Sequence, residues 1–521
     1  MKKILYNITC GALLLASMTG CKKQLELDPK QSVDVSVALT SREGINAAIT
    51  GVYASLKSTT NYGRDLLAVS EALADNAFAT QKSGRLLAEN QNGTGSHFVL
   101  WQNNYYAIAQ INQVLAAIPS LNVSPAVTTA ERNNWEGQLF FLRALMYHDL
   151  ARVYGYEPGM GVQGQDRGSV PVMLATPGTI PQAQATTPAR ATADSVYRRI
   201  YADLDSANRR LTTSNAGLPF VATKVAAQAL FARVALYRRD WVNAARWSDS
   251  VLNVPANVAR LATTSSYVSS WTSQTNPESL FEIRFANQSE NIGVNTSLQT
   301  SYTTLGERGK PSLTVGFGDL VPATPMLQAL GFTGIAANGA GGTFTGRSDD
   351  VRNLLFESGT TGRGTARIEC TKFIGKNGVA NLDNVPVIRI PEVYLIRSEA
   401  RLNNGDVAGA LADLQKVKQA RYANYATTQQ SFDNGLSANT GLPIVAPTAP
   451  AATTLYGEIL KQRRLEFAFE GHRWFDFKRL GLTMPKSTAT LYTGYTDFKV
   501  LAPIPVRETD VNPNMVQNFG Y

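Results

Sequence analysis

Leu402-Asn403-Asn404-Gly405-Asp406-Val407-Ala408-Gly409-Ala410 reads as punctuation between two helices. Apolar residues at helical spacing lead into it, and Asn404-Gly405 stops the first helix. Asp406 is placed to cap the second helix by accepting from a backbone N–H in its first turn. An earlier stretch, Leu236-Tyr237-Arg238-Arg239-Asp240-Trp241-Val242-Asn243-Ala244, has the same layout. Leu, Asp and Ala keep their offsets, and Val251 and Val417 continue the match. A small residue four places into each second helix lets the helices of a pair approach closely.

Two such units predict a mainly α fold of tetratricopeptide-like helix pairs stacked into an α-α superhelix, rather than a bundle. Working outward, helical periodicity starts after Ser41 and continues to Leu56. It resumes from Trp101 to Leu115, closed by Pro119, then over Thr129 to Tyr154 and over Thr192 to Leu211. Between these runs lie polar or irregular insertions at about 81–97, 255–385 and 422–452, the second with Gly334 to Gly346 close to low complexity. Residues 41–521 are therefore expected to form one domain, a rigid helical scaffold with few short strands that presents a surface built from loops. Gly159-Met160-Gly161-Val162-Gln163-Gly164 fits G-x-G-x-x-G, but a helix precedes it and prolines follow, so a dinucleotide site is rejected.

The 521 residues carry a formal charge of +9 without any dense Lys/Arg run, which argues against a nucleic-acid partner. The three cysteines and three histidines form no framework or cluster, and no metal or cofactor is expected. Lys2-Lys3, an apolar stretch from Ile4 to Ala16 and Met18-Thr19-Gly20-Cys21 resemble a bacterial lipoprotein signal. Residues 1–20 are the expected signal peptide, Cys21 the lipid attachment site and 21–40 a tether. No other stretch is long and apolar enough to span a bilayer.

Near the C-terminus, Arg463, Glu466, Glu470 and Arg473 share a helical face with Phe467 and Trp474. Glu466 and Glu470 stand roughly 6 Å apart at the spacing of one turn, compatible with a glycosidase pair. An arginine one turn beyond each glutamate instead favours a structural ion-pair stripe among the four, since pairing lowers a carboxylate pKa that a general acid needs raised.

Four blocks resemble the SusD/RagB family of Bacteroidetes outer-membrane nutrient-binding lipoproteins. They are Leu142 to Gly155 with Val170-Pro171-Val172, Asn384 to Ala400, Arg463 to Asp476, and Pro503-Ile504-Pro505 through Asn512-Pro513-Asn514 to Tyr521. The resemblance implies a cell-surface lipoprotein on the outer membrane that captures an oligosaccharide, or in some members a peptide. It would deliver the ligand to a SusC-like TonB-dependent transporter and would not be an enzyme. A surface glycosidase and a helical-repeat interaction module are the other readings of the residues.

A glycan site needs flat apolar faces with planar hydrogen-bonding groups around them. The loop residues of those types are Arg85, Asn90, Asn92 and His97 in the first insertion and Trp271 and Tyr302 in the second. Binding by Trp271 and Tyr302 would let their truncation weaken affinity without lowering thermal stability.

Overall fold

The computed structural model describes residues 38–212, 218–438, 451–484, 486 and 494–521. The expected signal peptide, Cys21 and most of the tether lie outside the described residues, as do 439–450 of the third insertion. Among the described residues, helices of eight residues or more are numbered here. They are α1 Arg42–Ser55, α2 Asp65–Leu73, α3 Trp101–Ala117, α4 Thr129–Tyr154, α5 Ala193–Arg210, α6 Lys224–Tyr237, α7 Trp241–Leu252, α8 Ile390–Asn403, α9 Val407–Gln419, α10 Leu455–Glu466 and α11 Arg473–Leu480.

The helices begin where their caps direct. The Ser41 and Thr192 side chains accept from Gly44 N and Ser195 N, and Thr128 and Glu131 form a reciprocal capping box at the head of α4. In the two matched turns, Asp240 accepts from Asn243 N at 3.2 Å and Asp406 from Gly409 N at 2.9 Å. Ala244 and Ala410 are fully buried where the paired helices meet. Packing proceeds in order along the chain: α1 on α3, α3 on α4, α4 on α5, and so to α9, with α10 against α8 and α9. This is the helix-pair superhelix, built on a core that runs from Ile45 to Met515.

Three two-stranded antiparallel sheets tie the insertions to this scaffold. The strands are β1 Ala77–Ala79, β2 Ser279–Ile283, β3 Leu320–Pro322, β4 Phe356–Ser358, β5 Ile368–Cys370 and β6 Val385–Arg389, paired β1–β3, β2–β6 and β4–β5. Pairing of β2 with β6, Ser279 opposite Arg389, closes the base of the long insertion just before α8. The insertion is ordered throughout its described length, with short helices at Leu298–Tyr302 and Thr324–Ala329. Its aperiodic aromatics are part of that same core, where Tyr302 packs edge-on against Phe469.

The charged stretch near the C-terminus is not one helix. α10 stops at Glu466, the chain turns through Phe469 (φ 64°) and Gly471 (φ 81°), and α11 starts at Arg473. Each of the four charges consequently finds a partner outside the expected stripe. Arg463 bonds Asp476 at 3.1 Å and Arg473 bonds Asp75 at 2.8 Å. Glu466 accepts from Arg421 at 2.8 Å and Arg389 at 2.9 Å, while Glu470 accepts from Arg389 at 2.8 Å and Lys372 at 2.6 Å. Glu278 joins the lattice by accepting from Arg389 and Arg421, both at 2.7 Å. With Asp350 against Arg352, four carboxylates face four cations, all buried, and the charges cancel. Asp75, likewise buried, is subject to an upward push from desolvation that the Arg473 and Arg464 guanidiniums outweigh, leaving its pKa below the ordinary value.

Candidate functional site

The first insertion returns to the scaffold through β1, and the long insertion delivers β3 beside it. Their junction builds a half-exposed surface. Thr80 N donates to Asp319 O at 2.9 Å, and the Thr80 hydroxyl donates to Gly318 O at 2.7 Å. The Asp319 carboxylate accepts from Ser83 Oγ at 2.5 Å and from Arg85 Nε at 3.1 Å. Arg85 is thereby held over the ring of Phe317, 4.5 Å from its centroid, and its Nη1 donates to Asn295 Oδ1 at 3.5 Å. Its Nη2 is buried without a hydrogen-bond partner among the described residues. A second guanidinium, from the exposed Arg363, lies 4.1 Å from the same centroid.

Chemically this is an aromatic ring flanked by planar groups (Arg85, Arg363, Asn295) with the Ser83 hydroxyl nearby. It suits a polar, ring-shaped ligand that needs both stacking and multiple hydrogen bonds. Arg85 was named from the sequence; Phe317 and Arg363 were not. Their signal was local: each stands between glycines, in Gly316-Phe317-Gly318 and Gly362-Arg363-Gly364, where a side chain is presented on a bare backbone.

The structure gives the other five candidates different work. Asn90 is buried, donating to Ala72 O and Ala77 O, both at 3.1 Å, and accepting from Ala79 N at 3.2 Å. It staples the loop to β1 and so positions Arg85. Asn92 donates to Leu73 O at 3.2 Å from a left-handed backbone (φ 53°). His97 lies between Phe98 and Trp474, and burial pushes its pKa down to about 3. Trp271 and Tyr302 are both 0 % exposed, so a ligand has no face of either ring to reach. Trp271 covers the ion lattice, with Lys372 4.7 Å and Arg389 5.1 Å from its ring. Truncating either ring removes core, so the expected separation of affinity from stability does not apply to them.

A separate groove of about 690 Å³ runs between α3, residues 171–188 and the C-terminal segment 507–515. Its walls are Tyr105, Met173, Ile180, Val511 and three prolines, and the polar groups on its rim largely satisfy one another. Tyr105 Oη donates to Pro171 O at 2.7 Å, and Arg507 donates to Gln102 Oε1 at 3.0 Å. Its chemistry is that of a hydrophobic contact surface rather than a sugar site.

Two family models match this chain. One, described as the SusD family, covers residues 360–521, and the other, described as "Starch-binding associating with outer membrane", covers residues 24–236. SusD-like protein P2 of Formosa agariphila is 26% identical over 99% of both chains, and SusD-like protein P38 of the same organism is 21% identical over 100% of both. Among solved structures, a SusD superfamily protein from Bacteroides thetaiotaomicron superposes with a TM-score of 0.74 at 23% identity, covering 93% of this chain and 100% of the other. A putative sugar binding protein from Bacteroides vulgatus gives 0.70 at 23% identity, covering 94% and 100%. Helix-pair superhelix, sheet-tied insertions and both matched ends agree: the chain has the fold of SusD superfamily proteins and is similar to the SusD family in sequence at both of its ends.

Proposed function

We propose that this protein captures an oligosaccharide at the Arg85–Phe317–Arg363 surface and passes it to a TonB-dependent outer-membrane transporter of the SusC type. The observation that carries the ligand half is Phe317 itself, an aromatic ring held at a partly exposed position among guanidinium and amide groups. The starch-binding description of one matching family model and the likeness to a putative sugar binding protein support it, and the resemblance to the SusD/RagB family supports the delivery role. A binding rather than catalytic role is supported by the fate of the paired glutamates. Burial alone would raise the Glu466 pKa, but Arg421 and Arg389 outweigh it and hold the carboxyl below its ordinary range, the wrong direction for a general acid. Phe317→Ala should weaken glycan affinity about tenfold or more, the loss of one stacked ring with its edge contacts. Its melting temperature should stay near that of the wild type, because the ring lies outside the core. Affinity electrophoresis and calorimetry test both, and unchanged retention on every glycan bound by the wild type removes this surface as the site.

We further propose that Cys21 carries the lipid anchor of a cell-surface protein. Among the described residues no helix is long and apolar enough to cross a membrane. Each buried acyl CH₂ contributes roughly 0.8 kcal/mol, so two or three chains suffice to hold the protein at a bilayer. Cys21→Ala should move the protein from the membrane to the soluble fraction, and retention of the variant in outer-membrane vesicles refutes the assignment.

A further inference from the structure

The charges around Phe317 do not balance. Lys82 approaches the buried Glu369 at 3.4 Å and Arg85 is paired with Asp319. Arg363 and Arg367 make no direct ion pair among the described residues, although Glu369 acts on Arg367 at longer range. Arg363 is exposed and touches only the ring, and Arg367 donates to Asn338 O at 3.1 Å while standing 5.1 Å from the ring of Phe78. Phe78 belongs to the same β1–β3 pair, opposite Val321, and β3 packs on β5, which Arg367 precedes. Four cations therefore meet two carboxylates on one rim of two partly exposed aromatic rings. The two carboxylates are already engaged: Glu369 Oε2 accepts from Thr304 N at 2.6 Å and from Thr303 Oγ1 at 3.0 Å, and Asp319 holds Ser83 and Arg85. The buried lattice under α10 forms a contrast, since there every guanidinium is matched by a carboxylate.

An unmatched guanidinium is weakly hydrated and presents a planar fork that fits a carboxylate or sulfate through two parallel N–H···O bonds. A neutral sugar gives such a fork no counter-charge. We propose that the ligand is an anionic polysaccharide, carrying uronate carboxylates or sulfate esters, whose acidic groups pair with the exposed Arg363 while a sugar ring lies against the exposed part of Phe317. This deepens the glycan-binding reading and rests on it. The long insertion then supplies selectivity for charge through Arg363.

The test uses the full mature chain in detergent and polysaccharides in matched pairs: polygalacturonate with its fully methyl-esterified form, carrageenan with its desulfated product, and starch as an uncharged reference. The charged member of at least one pair should bind about tenfold or more tightly than its neutral partner, as one charge-assisted pair provides. Raising salt from low to about 0.5 M should weaken that binding, because exposed charges are screened. Arg363→Gln should lower affinity for the charged member about tenfold more than it lowers affinity for the neutral partner, with the melting temperature unchanged. Arg209→Gln, which removes a cation from an exposed pair on α5, should change neither affinity. Equal or tighter binding of the neutral members, salt-insensitive binding, or an Arg363→Gln variant with wild-type affinity overturns the proposal. If neutral glycans bind and Phe317→Ala abolishes that binding, the glycan reading survives and only the charge selectivity falls. Failure of the wild type to bind any of these polysaccharides overturns both.

Discussion

Arg389→Met should destabilise the protein by about 3–5 kcal/mol, the cost of leaving buried carboxylates without their cation. Arg389 is 2 % exposed and donates to three carboxylates at once: Glu278 at 2.7 Å, Glu466 at 2.9 Å and Glu470 at 2.8 Å. It also donates to the Glu466 carbonyl at 3.1 Å, a backbone oxygen at the end of α10. Methionine fills much of the volume and replaces none of the five N–H donors. The deficit has a signed pH dependence. In the wild type Glu466 is held below its ordinary pKa, so its stabilisation is complete above the unfolded carboxylate value of about 4.3 and is lost as pH falls through the folded value. Without Arg389 that folded pKa rises, so Glu466 neutralises itself in mild acid. The gap between variant and wild type should thus be widest near neutrality and narrow below about pH 4. Urea unfolding at both pH values measures it. Arg209→Met, removing an exposed pair with Asp205, serves as the reference and should cost no more than about 1 kcal/mol. A comparable small loss for Arg389→Met would show that the lattice does not clamp the fold.

Why that hub was hidden in the sequence is instructive. Helical spacing reports which residues share a face, and from it Arg463, Glu466, Glu470 and Arg473 look like mutual partners. The real partners are distant: Arg389 and Glu466 are separated by 77 positions, and Arg473 and Asp75 by 398. Periodicity carries no information at that range. The pattern also ran across a break, because Phe469 adopts a left-handed backbone that no glycine announced at its own position. The matched turns were legible because everything needed is local: a helix stop, a capping aspartate and a small residue at a close contact. At the surface, Arg85 was legible as a polar loop residue, while Trp271 and Tyr302 were misplaced. An aromatic in an aperiodic polar segment reads as exposed, but here such residues join the common core and cover the ion lattice. Phe317 and Arg363, the residues that remain outside, are marked by their flanking glycines rather than by any period.

Gly471→Ala should be the second severe substitution, and the opening turn supplies its control. Gly471 sits at φ 81° in the link between α10 and α11, where an alanine pays about 1–2 kcal/mol for the left-handed backbone alone. A Cβ there would also stand 2.5 Å from Leu66 O and 2.9 Å from Leu67 Cα, rigid backbone atoms of α2 that have no rotamer to yield. Overpacking of that kind typically adds a further ~1–3 kcal/mol. Displacing the link strains two more contacts, since Gly471 N donates to the buried Glu71 at 3.1 Å and Ser70 Oγ donates to Gly471 O at 3.0 Å. Gly405, in the turn between α8 and α9, has nearly the same φ of 86° and open space where its Cβ would be. Arg239 occupies the equivalent place in the α6–α7 turn at φ 58°, so a side chain is already accommodated there. Gly405→Ala should therefore cost only the backbone part, about 1–2 kcal/mol. The difference between the two variants in chemical denaturation isolates the close approach of the C-terminal link to α2. Equal losses would mean that the link can move away from α2 without consequence, and that the Arg463–Asp476 stretch marks the family without holding its loops in place.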